Sequence, residues 1–325
     1  MQIFDKDKIY NFMGVRHLFF AISLILMLGS IFLLGTQGLK FGIDFSGGTL
    51  IQIKYDSKAP IEDIRHKLNQ VNELKGASVT EFGSSEEITI RYSGSNESLG
   101  NDVSASISKI LKDTGNFEIR RVDVVGPKVG SELKKGGLMA VIISLIAILI
   151  YLGARFEWRF ALAAVLSEVH DILVVLGFIS LMKIDVNLDT LAAILTIIGY
   201  SLNDTIIIFD RIREGIQESK EESINGVINE SVSRTLSRTV LTSFTTLISV
   251  VVLFLFGGDM INDFASIVMV GVIFGTYSSV FIASQALIFF KFSVKRYRAF
   301  LAEKQKRKKE KVKMNLIQIK LIRLT

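Results

Sequence analysis

Six stretches of about 20 residues, each nearly free of charge, constrain this chain more than any other feature, because a helix of that length crosses roughly 30 Å of hydrocarbon. They fall at Leu18 to Leu34 or a little beyond, Gly136 to Ala154, Phe160 to Met182, Thr190 to Phe209, Val240 to Gly258 and Phe264 to Phe290. A cleavable signal is shorter and ends in small residues. The first run ends in Phe32, Leu33 and Leu34 and reads as an uncleaved anchor. With 325 residues and 49% hydrophobic content, the chain is too apolar for a pair of soluble domains.

Several function classes fall away at once. The chain has no Cys, so disulfides, thiolate nucleophiles and Cys-ligated metal centres are excluded. Its three His (His17, His66 and His170) lie far apart with no HExxH pair, and no GxxxxGK[ST] run is present. Neither a zinc hydrolase nor a standard P-loop ATPase is expected, and no cofactor is implied. The reading is a non-enzyme without an ATPase motif, so any energy supply must come from somewhere else.

The formal net charge of +6 points first to nucleic acid, but its distribution points to membrane topology. Between Lys40 and Lys135 there are 14 Lys or Arg and 14 Asp or Glu, so the excess lies elsewhere. Lys6, Lys8 and Arg16 precede the first span, and Arg155 and Arg159 sit between the second and third. Arg211, Arg213, Arg234 and Arg238 lie between the fourth and fifth, and from Lys291 onward 13 Lys or Arg face two Glu. Placing all of these in the cytoplasm satisfies the positive-inside rule. Both termini are then cytoplasmic and residues 40–135 are extracytoplasmic. The expected division is 1–17 cytoplasmic, 18–39 first helix and 40–135 outside domain. Helices two to four follow at 136–154, 160–182 and 190–209. Residues 210–239 form a loop and the start of helix five, then come 240–258 as helix five, 264–290 as helix six and 291–325 as a basic tail. The tail run from Lys304 to Lys313 lacks the interleaved aromatics of a nucleic-acid reader, so it reads as a solvated segment beside the lipid bilayer, and no nucleic acid is expected as a partner.

Within the insert, Thr49 to Tyr55 alternates with period two, Pro60 opens a helix that Gly76 ends, and Ser78 to Phe82 and Glu87 to Tyr92 form two further strands across Gly83-Ser84-Ser85. A second helix over Ser98 to Lys112 leads to a last strand, Phe117 to Val125. Strand, helix, strand, strand, helix, strand is the ferredoxin-like α+β order.

Ionisable groups inside the spans carry the functional signal, since each costs about 2.5 to 3.5 kcal/mol or more at a helix centre. Asp204 follows Ser201-Leu202-Asn203 in the fourth span, and a polar series, Arg234, Arg238, Thr242, Thr245 and Ser249, enters the fifth at matching depth. Two readings stand: Arg238 meets Asp204 in a proton relay, or Asp204 and Asp210 lie at the interface while Arg238 snorkels. Glu168, His170 and Asp171 sit near the middle of the third span, where His170 and Asp171 are possible additional relay members.

The stretch Gly38-Leu39-Lys40-Phe41-Gly42-Ile43-Asp44-Phe45-Ser46-Gly47-Gly48-Thr49 resembles the signature of the SecF family, membrane subunits that assist bacterial protein export within the wider SecD/SecF group. Glu157-Trp158-Arg159, His170-Asp171, Gly199 to Thr205, Asp210 to Glu214, Ser237-Arg238-Thr239 and Phe256-Gly257-Gly258 extend the resemblance over roughly residues 10 to 295. The resemblance implies pairing with SecD in a twelve-helix assembly similar to proton-driven efflux transporters. It also implies association with the SecYEG channel and the translocating preprotein, and a place in the bacterial inner membrane. Proton flow would move the outside domains and so help late export; the coupling ion it implies is H⁺, with Na⁺ still open. The relay residues it implies are Asp204 and Arg238, whereas Glu168 lies outside the pattern. Gly42, Asp44, Gly47 and Gly48 read as a junction between the first span and the outside domain, where glycine permits unusual dihedrals or close approach. The alternatives are an independent small-molecule exporter of the same superfamily and a non-conducting scaffold of the translocase.

Overall fold

The computed structural model describes residues 8–92, 103–218, 223–299, 301–303, 306–307 and 310. Six helices long and apolar enough to cross a membrane carry the chain. The first, α1, spans Arg16–Thr36. After the inserted domain come α5 (Pro127–Arg155), α6 (Trp158–Met182), α7 (Leu188–Glu218) and α8 (Ile224–Phe256). The sixth crossing starts as α9 (Asp259–Ser278), passes through a π-helical segment at Ser279–Ala283 and ends as α10 (Ser284–Phe289). Crossings three, four and six form the buried centre, and one, two and five lie outside them.

Several helix limits depart from those read off the charge-free runs. The second crossing, α5, starts at Pro127, inside the segment assigned to the outside domain, because Pro suits the first turn and helical hydrogen bonding continues through Lys128, Lys134 and Lys135. The expected loop at 210–239 is mostly helix: α7 runs on to Glu218 and α8 begins at Ile224. Charge ends an apolar run without ending a helix, and pairs one turn apart, Arg211–Glu214 and Arg234–Glu230, sit well on an exposed helical surface. Lys6, the start of the second domain helix at Ser98 and most of the tail run from Lys304 to Lys313 lie outside the described residues.

The inserted domain contains β2 (Gly48–Tyr55), α3 (Ile61–Asn69), β3 (Ser78–Phe82), β4 (Ser84–Tyr92), α4 (Val103–Ile110) and β5 (Phe117–Val125). Its sheet order is β3-β4-β2-β5 with every pair antiparallel, the ferredoxin-like arrangement. The alternation in β2 puts Ile51, Ile53 and Tyr55 on the face covered by the two helices, with Ile64, Leu68, Val103, Ile107 and Leu111 completing that core. Gly83, at φ +68°, makes the hairpin alone, so Ser84 already belongs to β4.

Two short pieces tie this domain to the bundle. Strand β1 (Lys40–Phe41) pairs in parallel with β6 (Asp185–Val186), the link between α6 and α7. A single helical turn, α2 (Ile43–Ser46), then leads into β2. At the other end of the bundle, a second apolar cluster gathers Met13, Phe160, Phe209, Ile212, Val227 and Phe292. Its rings meet edge to face, with Phe160–Phe209 centroids at 5.1 Å and Phe160–Phe292 at 5.2 Å.

Candidate functional site

The bundle interior holds two carboxyl sites of different character. Asp171, fully buried on α6, has each oxygen occupied. Its Oδ1 accepts from His170 Nδ1 at 2.9 Å, and its Oδ2 accepts from Ser201 Oγ on α7 and Ser278 Oγ on α9, both at 2.6 Å. When Asp171 is ionised its carboxylate can only accept, and His170 then carries a proton on Nδ1. His170 Nε2 is buried with no hydrogen-bond partner among the described residues, and its ring lies 6.2 Å from that of Tyr277. Tyr277 in turn bonds Ser23 at 2.7 Å and the Phe19 carbonyl at 2.6 Å, which brings the first span into the same network.

Ser278 is the last residue before the π-helical segment, so the change of helical period falls directly beside Asp171. Such segments recur at functional sites. In the sequence Ser278 shows only as a serine within an apolar run. Glu168, one turn before Asp171, is buried, and neither of its carboxyl oxygens meets the geometry of a hydrogen bond among the described residues.

Asp204 is also buried, at 1% exposure, but it is poorly satisfied. Its Oδ1 has no partner among the described residues, and its Oδ2 has Ser243 Oγ at 3.5 Å, the long limit for such a bond. Ser243 has one proton and two nearer acceptors, the Thr239 carbonyl at 2.8 Å and Thr276 Oγ1 at 2.7 Å. Thr276 spends its own proton on the Val272 carbonyl at 2.8 Å, so it is an acceptor toward Ser243. Asp204 therefore has no committed donor.

Arg238 is not brought onto Asp204. It is exposed on α8 and lines a cleft of about 640 Å³ with Ile207, Asp210, Arg211 and Arg234. Asp210 is engaged by Arg155 at 2.9 Å and by Arg213 at 3.6 Å. Farther along α8 the polar series turns outward. Thr245 and Ser249 are exposed and bond carbonyls of their own helix, and it is Thr239 and Ser243 that turn inward. Hydroxyls satisfied within their own helix can sit on an outer face, so period alone did not fix the direction of the stripe.

The glycine-rich turn is a three-way joint. Gly42 N–H donates to the Val186 carbonyl at 2.8 Å, and Asp44 Oδ2 accepts from the backbone N–H of Leu188, the first residue of α7, at 3.0 Å. Gly47 needs glycine twice over: its φ is +73°, and a Cβ there would lie 2.8 Å from the Pro127 Cα.

A six-span bundle with buried carboxyls on its inner helices and a ferredoxin-like insert behind a Gly-Gly turn defines the class, a polytopic membrane subunit. The "Protein export membrane protein SecD/SecF, C-terminal" family matches residues 106–293, and the "SecD/SecF GG Motif" family matches residues 32–59. The protein translocase subunit SecF of Helicobacter pylori strain J99 is 44% identical over 314 residues, covering 97% of each chain. That of Vibrio alginolyticus is 43% identical over 288 residues, covering 87% of this chain and 90% of the other. The crystal structure of SecDF from Thermus thermophilus, described as a translocon-associated membrane protein, superposes with a TM-score of 0.81 at 32% identity. It covers 89% of this chain, which spans 40% of that longer one. A SecDF crystal structure in a "super-membrane-facing form" scores 0.66, also at 32% identity, over 94% of this chain and 41% of that one. The chain belongs to the SecF family of protein translocase subunits.

Proposed function

We propose that this SecF subunit pairs with SecD and uses ion movement past Asp204 to assist transfer of preprotein through the SecYEG channel, with H⁺ as the coupling ion. The observation that carries the reading is Asp204 itself, a buried carboxyl in an inner helix with, among the described residues, one oxygen unpartnered and no committed donor on the other. A group so costly to bury is kept where it works, and a carboxyl free of fixed donors can gain and lose a proton without dismantling a network. The cleft beside it, lined by Ile207 one turn from Asp204 and by Arg238, offers water a way in from the end that holds both termini. Arg238 acts as the movable cation of the pair, approaching Asp204 when α8 shifts.

Pairing with SecD is supported by the outer face of α7. Ala192, Thr196, Gly199 and Asn203 are exposed at helical spacing. Small and polar residues at that spacing suit close packing by another membrane helix better than contact with lipid. The charge distribution supports the orientation, with both termini in the cytoplasm and residues 40–135 outside, in the inner membrane.

The test is export of a pulse-labelled secreted protein in cells carrying this chain or Asp204→Asn, at matched SecD and membrane abundance. Export at the level of cells lacking the protein supports the reading. Unchanged export overturns it in favour of a non-conducting scaffold.

A further inference from the structure

We propose that Asp44 is a positioning residue that delivers movement of α7, the helix bearing Asp204, to the inserted domain, with the Arg91–Asp185 ion pair as the second tie of the same joint. The inference rests on the ion-coupled reading above and adds the route by which its motion leaves the membrane.

A helix begins with backbone N–H groups that lack partners, and α7 has two of them filled from different sources. Asn187 Oδ1 accepts from Thr190 N–H at 2.8 Å, an ordinary cap from the adjoining residue. Leu188 N–H is taken instead by Asp44, 144 positions earlier in the chain, with a negative charge placed at the positive end of the helix. The grip of Asp44 on α7 is thus directional and short.

Asp44 is itself held firmly. Its turn, α2, is closed by Phe45 and Ser46 N–H groups donating to the Gly42 carbonyl at 3.1 and 3.0 Å, while Gly42 is bonded to Val186. The other side of α2 lies against the start of α5, where a Cβ on Gly130 would come within 2.8 Å of the Gly47 nitrogen. Lys134 of α5 lies 3.7 Å from the centre of the Phe41 ring. One residue, Gly47, separates α2 from β2, and one residue, Gly126, separates β5 from α5. The domain therefore meets the bundle through connections too short to absorb a displacement.

The second tie comes from β4, the strand paired beside β2. Arg91, near the end of β4, pairs with Asp185 of β6, and Lys40 of β1 reaches the same carboxyl at 3.1 Å. Burial alone would raise the Asp185 pKa, but the two cations outweigh burial and hold it below the usual range, so the pair stays charged at neutral pH. Arg121 of β5, paired with Asp123 at 2.6 Å, adds positive charge in the field of Asp44 and Asp189. Asp44 thus holds the first turn of α7 directly, and Arg91 holds β6, the strand that leads into it.

The experiment uses the complex with SecD, comparing Asp44→Ala, Asp44→Asn and Asp204→Asn for export in cells and for ion uptake in reconstituted vesicles. Asn keeps an oxygen that accepts the Leu188 N–H, whereas Ala removes it. The expected result is that Asp44→Ala lowers export about fivefold with ion uptake and abundance unchanged, and that Asp44→Asn returns export to within about twofold, as for a capping bond. Normal export in Asp44→Ala overturns the proposal. So does an Asp44→Asn variant as impaired as Asp44→Ala, or loss of uptake together with export in Asp44→Ala. The Asp204→Asn arm reports separately: normal export there defeats the ion-coupled reading, while the Asp44 pair still decides the joint.

Discussion

Asp171 and Asp204 lie in the same helical bundle, both buried, and the structure treats them in opposite ways. Asp171 has three donors from three helices, two of them at 2.6 Å. Asp204 has one distant hydroxyl whose proton is wanted elsewhere. A carboxyl surrounded by fixed donors holds helices together, because moving any of them breaks a charge-assisted bond of about 1.5 to 3 kcal/mol. A carboxyl without them contributes little to cohesion and is free to change state. The contrast gives the centre of crossings three, four and six a cohesive role, and under the proposed function the work falls to the seam between α7 and α8.

The largest expected effect is on the working side. Asp204→Asn should reduce export to that of cells lacking the protein while the variant still copurifies with SecD, measured by pulse-labelling and affinity capture. Asp171→Ala should act differently, leaving His170 Nδ1–H, Ser201 and Ser278 without their common acceptor. The cost is about 3 kcal/mol or more, visible as lower membrane abundance and earlier thermal aggregation in detergent. The discriminating substitution is Asp171→Asn, since its amide can still accept from a serine, and a changed His170 tautomer can accept from it. Near-normal export at normal abundance is expected. If Asp171→Asn instead abolishes export without loss of protein, the contrast breaks and the relay extends to Asp171 and His170.

The sequence disclosed the parts of this contrast that depend on composition along one segment. Six apolar runs gave the six crossings, and the βαββαβ order gave the domain sheet that is observed. Asp204, His170 and Asp171 were legible as costly groups within apolar surroundings. Direction around a helix was not: the stripe from Arg234 to Ser249 has helical spacing, yet it faces outward because its hydroxyls bond their own backbone and packing decides which face turns in. Ser278 and the Asp44–Leu188 bond were hidden for another reason. Each joins segments more than 100 residues apart, and nothing local to either end marks a partner at such separation.

Packing one turn beyond the Asp171 site gives a smaller effect. Gly271 on α9 faces Ile197 on α7, and a Cβ there would collide with the isoleucine side chain. Gly271→Ala should cost about 1 to 3 kcal/mol by overpacking, read as a lower thermal midpoint of the purified complex. Ile197→Val in the same chain should recover part of the loss, because it removes one of the colliding carbons. A midpoint lowered without such recovery would mean that the glycine matters for something other than the approach of these helices.

Asp185, at the joint rather than in the bundle, sharpens the contrast from outside because it combines partners with access to water. Its folded pKa lies below the ordinary carboxylate value of 3.8. A depressed pKa contributes stability that is complete above the unfolded value and is lost as pH falls through the folded one. The difference in thermal midpoint between the parent and Asp185→Asn should therefore stay constant from about pH 8 to about pH 5 and close below about pH 4. The effect should be modest, since the partly exposed Lys40 and Arg91 are screened by solvent and salt. A difference that closes near neutral pH would show that Asp185 is not held ionised by its two cations. The second tie of the domain to α7 would then be a neutral contact, leaving Asp44 to carry the joint alone.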